Sequence, residues 1–223
     1  MSACWTILAI SSLAMADADA DALARRVADA AGDPYALKSL EFTFVVTAGE
    51  DEKARRSHSW QPQAGTLTVK MGGEPVHFSG LGHTDPTRLV AEPASHAADW
   101  AAVSPGTDPK RAAQAWSAFI NDSYWLLAPS KVMDGGVNRS IDEEGRLVLS
   151  FDGVGLTPGD RYMLTVDPES ARVTAWSFVL QGGSEGHFSW TEHTRSGPLT
   201  VSTHRATEAG DFVIRFEDVR ATP

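Results

Sequence analysis

The chain is expected to fold as a mainly β (α+β) protein. The expected form is a single large curved antiparallel sheet, or half-open β-barrel, of about ten to eleven strands with two to three helices covering its concave face. Three observations predict this. From Glu41 onward, apolar residues alternate with polar ones. After Val137, turn-forming residues recur every 8 to 15 positions, and strands joined by such short turns are antiparallel neighbours. One strong amphipathic helix sits mid-chain, between the two strand-rich regions. A sheet of that size curls instead of lying flat.

Taken in order, the first element reads as an export signal. Trp5 to Met15 is uncharged and apolar, and an acidic run, Asp17-Ala18-Asp19-Ala20-Asp21, follows it at once. The stretch is too short to span a bilayer, and Ala14-Met15-Ala16 offers a small-x-small site for cleavage after Ala16. No Lys or Arg precedes the apolar stretch. Cys4, the only cysteine, lies before it, where a lipidated cysteine would have to follow it. A lipid-anchored form therefore requires a start further upstream, and a buried N-terminal helix is the bland alternative. Residues 17–223 are expected to form one domain, periplasmic or secreted and monomeric.

Asp19 to Ala31 has helical spacing, with Leu23 and Val27 one turn apart, and Gly32-Asp33-Pro34 stops it. Phe42, Phe44 and Val46 then alternate with threonines and Val45, and Leu67, Val69 and Met71 alternate with Thr66, Thr68 and Lys70. Gly72-Gly73 marks a hairpin whose returning strand is Val76 to Ser79. Asp108-Pro109 supplies a cap and a first helical residue; Ala112, Ala115, Trp116 and Phe119 complete one helical face. A shorter helix is expected within 94–103, and Asn121 to Leu127 reads as a buried connector ending at Pro129. Leu147/Leu149/Phe151, Tyr162/Leu164/Val166, Trp176/Phe178/Leu180, Phe188/Trp190, Leu199/Val201 and Phe212/Ile214/Phe216 are the later strand faces.

Composition narrows the function. Of 223 residues, 29 are acidic and 19 basic, for a net charge of −10, which argues against nucleic acid. There is no Gly-x-Ser-x-Gly, phosphate loop, dinucleotide fingerprint or His-Glu-x-x-His, and no cofactor is expected. His187 and His193 share a strand face with His204 nearby, but six residues of strand span about 20 Å, too far for one ion. His58, His77, His83 and His96 lack ligand spacing. The pairs Asp51-Glu52, Glu143-Glu144 and Glu217-Asp218 read as solvated charges beside turns or strand ends.

Seven tryptophans are more telling: Trp5, Trp60, Trp100, Trp116, Trp125, Trp176 and Trp190. Trp60, Trp125, Trp176 and Trp190 fall on expected strands or the connector. There they either pack the sheet or line an apolar pocket.

Asn121-Asp-Ser-Tyr-Trp-Leu-Leu-Ala-Pro129, Leu149-Ser-Phe151, Val154-Gly-Leu-Thr-Pro-Gly-Asp-Arg-Tyr162 and Val166-Asp-Pro-Glu-Ser170 resemble a group of exported bacterial proteins. That group looks like the outer-membrane lipoprotein carrier and sorting (LolA-like) superfamily, and the likeness covers about residues 115–205. It implies an eleven-stranded half-open barrel closed by helices, with an apolar cavity that shelters acyl chains. It implies no enzyme and no cofactor. Trp125 and Tyr162 match its motifs and join Trp60, Trp176 and Trp190 as candidate ligand-binding residues. The expected partner is an apolar ligand or lipoprotein acyl chain, with transient membrane association. The alternatives are an envelope protein-interaction module with a filled core, and a hydrolase or isomerase using Asp, Glu or His in the cavity.

Overall fold

The computed structural model describes the backbone of residues 5–82 and 85–223 and the side chains from residue 18 onward. Cys4 and His83 lie outside the described residues, as do the side chains of the expected signal up to residue 16. Along the chain run α1 (Trp5–Ala31), β1 (Ser39–Ala48), β2 (Asp51–Gln61), β3 (Thr66–Lys70), β4 (Val76–Phe78), α2 (Ala97–Val103) and α3 (Pro109–Lys131). Then follow β5 (Val137–Ile141), β6 (Leu147–Phe151), β7 (Arg161–Val166), β8 (Val173–Val179), β9 (Glu185–Ser196), β10 (Leu199–Ala206) and β11 (Phe212–Thr222). Helix α1 therefore starts well before the expected Asp19. No helix among the described residues is long and apolar enough to cross a membrane.

The strands form one antiparallel sheet in the order β4-β3-β2-β1-β11-β10-β9-β8-β7-β6-β5. It is two meanders joined where β1 pairs with β11 (Phe44 opposite Phe216). The helical segment α2–α3 carries the chain from edge β4 to edge β5 without closing the sheet. The sequence expectation of ten to eleven antiparallel strands with two to three helices holds. By its contacts the chain divides into two compact units: residues 1–31 with 129–189, and residues 32–128 with 190–223.

In the second unit, α2 and α3 pack on β3 and β4. Leu67, Val69, Val76 and Phe78 from the strands meet Trp100, Val103, Trp116 and Phe119 from the helices, all buried. Ala112, Ala113 and Ala115 keep the helix close to this layer. Asp108 caps α3 as expected, its Oδ1 accepting from the backbone N–H of Lys110 and Arg111, each at 3.1 Å. The expected connector from Asn121 to Leu127 is instead a continuation of α3. The reason lies in packing: buried Asp122 and Leu126 extend the Ala115–Phe119 stripe by about two more turns. Pro129 falls in the last turn, where the missing N–H removes only one helical hydrogen bond. The Gly72-Gly73 hairpin also forms, but residues 71–75 all belong to its connection. Arg111 donates to the carbonyls of Gly72 and Glu74 to hold it.

In the first unit, Ala20, Ala24, Val27 and Ala31 form the buried stripe of α1, which packs along β5 and β6. Arg139 of β5 donates from Nε to Asp21 Oδ1 at 2.6 Å. Gly32 ends α1 at φ +90°, and a Cβ there would stand 2.6 Å from the carbonyl oxygen of Pro198, so no other residue fits without movement.

Candidate ligand-binding site

Strand β2 has a charged sequence, Asp51-Glu-Lys-Ala-Arg-Arg-Ser-His-Ser-Trp-Gln61, yet it lies deep in the second unit's sheet. Its alternation divides the charges between two faces. Arg55 points one way and pairs with Glu52 (2.9 Å) and Glu217 (2.7 Å) at the surface. Arg56, His58 and Trp60 stand opposite Phe44, Phe42 and Leu40 of β1, on the face that α3 covers.

Asp122 of α3 meets them there. Arg56 donates from Nε to Oδ2 (2.7 Å) and from Nη2 to Oδ1 (2.6 Å), a two-pronged clamp. His58 Nε2 donates to Oδ2 at 2.8 Å, and Asn121 adds a fourth bond at 3.0 Å. The side chains of His58 and Asp122 have no exposure at all, while Arg56 keeps 24 %. The His58 ring lies 4.8 Å from Phe42 and 5.8 Å from Phe119. A histidine beside a carboxylate is the usual material of general base chemistry, but this pair is sealed from solvent. Its evident work is to fasten α3 to β2.

Arg56 also borders an open groove of about 590 Å³ along the flank of α3. Met71, Val90, Pro93 and Ala118 supply apolar walls, and Lys110 stands at it as a second cation. That volume lies within the range of small-molecule sites. Behind the groove, the space between α3 and β3–β4 is filled by the aromatic and aliphatic core already described.

Across the same face lies a second guanidinium. Arg56 sits 4.8 Å over the Phe44 ring, Phe44 lies 5.5 Å from Phe216, and Phe216 lies 4.6 Å from Arg205 of β10. The other side of Arg205 faces Trp190 at 4.0 Å. Arg205 is wholly buried and donates one hydrogen bond, from Nη1 to the Ser202 carbonyl at 2.7 Å. Its Nε and Nη2 have no partner among the described residues. Burial pulls its pKa well down, although a guanidinium keeps its proton at any ordinary pH.

The candidate ligand-binding residues fall into separate groups. Trp60 is half-buried, edge-on to Tyr35 at 5.9 Å and 5.8 Å from Phe119. Trp190 is the buried ring under Arg205. Trp125 is half-buried on α3. In the first unit, Tyr162 packs edge-on to Trp176 at 4.8 Å, and Trp176 is buried. The Tyr162 hydroxyl donates to Asp160 Oδ2 at 2.8 Å; burial and that carboxylate push its pKa up. Asp160 also accepts from Thr157 Oγ1 (2.6 Å) and Gln181 N (2.8 Å), so the Val154–Tyr162 motif forms a turn around one buried carboxylate. None of the five borders the groove.

Among the histidines, His187 bonds Ser177 (2.8 Å) and His204 bonds Thr191 (3.1 Å). No cluster of metal-ligating side chains occurs among the described residues. Sequence reasoning missed Arg56, His58, Asp122 and Arg205. The available signal was parity: Arg56 and His58 share the alternation of Trp60, and Arg205 that of Leu199 and Val201.

No family model matches the chain, and no curated protein matches it. The solved structures similar to it include three of matching extent. A LolA superfamily protein from Nitrosomonas europaea is 10% identical, with 92% of this chain and 94% of that one covered and a TM-score of 0.48. A DUF1329 family protein from Desulfovibrio piger is 8% identical, with coverage of 92% and 93% and a TM-score of 0.44. An outer membrane lipoprotein-sorting domain from Vibrio parahaemolyticus is 8% identical, with coverage of 92% and 93% and a TM-score of 0.43. These likenesses concern fold; no ligand or partner follows from them.

Proposed function

We propose that the chain is an exported binding protein without catalytic activity, which shelters a lipid, a lipoprotein acyl chain or another apolar ligand. Residues 1–16 act as the signal, cleavage follows Ala16, and residues 17–223 work as one domain outside the cytoplasm. The observation that carries the reading is the groove beside α3, apolar along its walls and edged by Arg56 and Lys110. Such a surface suits a chain that buries its methylenes, at about 0.8 kcal/mol each. The filled core behind the groove favours a second reading, a module that docks another envelope protein.

A neutral fluorescent naphthylamine separates the two. The binding reading expects saturable uptake by the purified chain, and expects Ala118→Trp, which fills the groove from the half-buried flank of α3, to abolish it while the urea midpoint stays put. Uptake that Ala118→Trp leaves intact removes the groove from the account. No uptake by the unaltered chain favours the docking module.

A further inference from the structure

Arg205 carries an energetic debt that its surroundings do not settle. A guanidinium has five N–H donors, and this one uses a single donor on the Ser202 carbonyl. The rings of Trp190 and Phe216 attract the cation but accept none of its remaining hydrogen bonds. Removing an ion from water is costly even after relaxation, and no group among the described residues accepts from Nε or Nη2. An aliphatic residue at this position would pack between Trp190 and Phe216 without that cost.

The geometry of the unused donors is informative. Nε and Nη2 form one edge of the guanidinium, the edge that takes two oxygens of a carboxylate side-on. Arg56 uses that same pair of nitrogens on Asp122, at 2.7 and 2.6 Å. In Arg205 the identical fork is buried and open. The rings of Phe216 and Phe44 run from it, contact by contact, to Arg56 at the border of the groove. Three strand spacings separate β2 from β10, about 14 Å; that is the scale of a medium acyl chain.

We infer that the Arg205 fork is the receptor for the acid head of an amphiphile, a carboxylate or phosphate oxyanion, whose chain lies along Phe216 and Phe44 towards the groove. The inference rests on the apolar-ligand reading above and adds the head group to it. In the structure described here the receptor is closed, so the rings over Arg205 must part for the head to enter. Once it is seated, the oxyanion replaces lost water on Nε and Nη2, and the cation is no longer unpaired.

The test uses the full chain with laurate, its uncharged counterpart dodecanol, and inorganic phosphate, measured by titration calorimetry. Laurate is expected to bind at least about tenfold more tightly than dodecanol. In Arg205→Met that preference is expected to vanish. Arginine Nε–H resonances in labelled, unaltered protein provide a check that needs no variant: one shifts with laurate and none with dodecanol. Equal binding of laurate and dodecanol, or a preference that survives in Arg205→Met, overturns the head-group site and leaves the apolar reading standing. Binding of phosphate with neither amphiphile keeps the fork as an anion site and overturns the amphiphile. Failure of all three probes overturns both.

Discussion

Arg56 and Arg205 stand on one face of the same sheet, linked through two phenylalanine rings, and meet opposite fates. Helix α3 passes over Arg56 and brings it Asp122, which also collects His58. At Arg205 the sheet offers rings and one carbonyl. The contrast separates a structural role from a functional one. A buried charge matched by a carboxylate fastens elements together; a buried charge left open stores a cost that a ligand can relieve.

The largest effect expected from this contrast is at Asp122. Asp122→Ala leaves Arg56 and His58 facing an empty site and should cost about 3–5 kcal/mol in urea unfolding. Arg205→Met should move stability the other way or barely at all, because it strands one backbone carbonyl, that of Ser202, and no charged partner. Equal losses in the two variants would erase the distinction. Next in size is Phe216→Leu, expected to cost about 2 kcal/mol through a lost ring contact and a small cavity. Part of that loss should disappear on the Arg205→Met background, and a double-mutant cycle measures how much.

Asp108→Ala, which removes the cap of α3, should cost about 1 kcal/mol. Probe binding in the groove should survive it, since the cap anchors the helix without touching the ligand. The smallest effect belongs to the first unit's half-buried Arg139–Asp21 pair. The hydrogen bond from Arg139 holds the Asp21 carboxyl below its usual 3.8. A depressed carboxylate contributes stability that is present at neutral pH and is lost as pH falls through its folded value. Asp21→Asn should therefore flatten only the acid end of the stability profile, by an amount near the limit of detection.

Much of this fold is legible in the sequence because the local signals agree. Leu147/Leu149, Tyr162/Leu164 and Phe212/Ile214/Phe216 alternate between clear turns, and each becomes a strand of the expected parity. Asp108-Pro109 starts α3 where its chemistry requires. Residues 121–127 read as a connector because Asp122 interrupts an apolar stripe, and only the tertiary partners Arg56 and His58 make that carboxylate a core residue. Most of β2 is hidden for the matching reason: its inward face carries an arginine and a histidine that Asp122 and the rings accommodate. Trp176 and Trp190 are buried among other side chains, whereas the groove is walled by smaller residues such as Ala118 and Val90.

Native mass spectrometry of the chain recovered from its own envelope fraction bears most directly on the central claim. The expected species is a chain beginning at Asp17 that carries one amphiphile of defined mass, released when the protein is unfolded. Repeated recovery of the chain at its bare mass, under conditions that preserve lipid on other proteins, would contradict it.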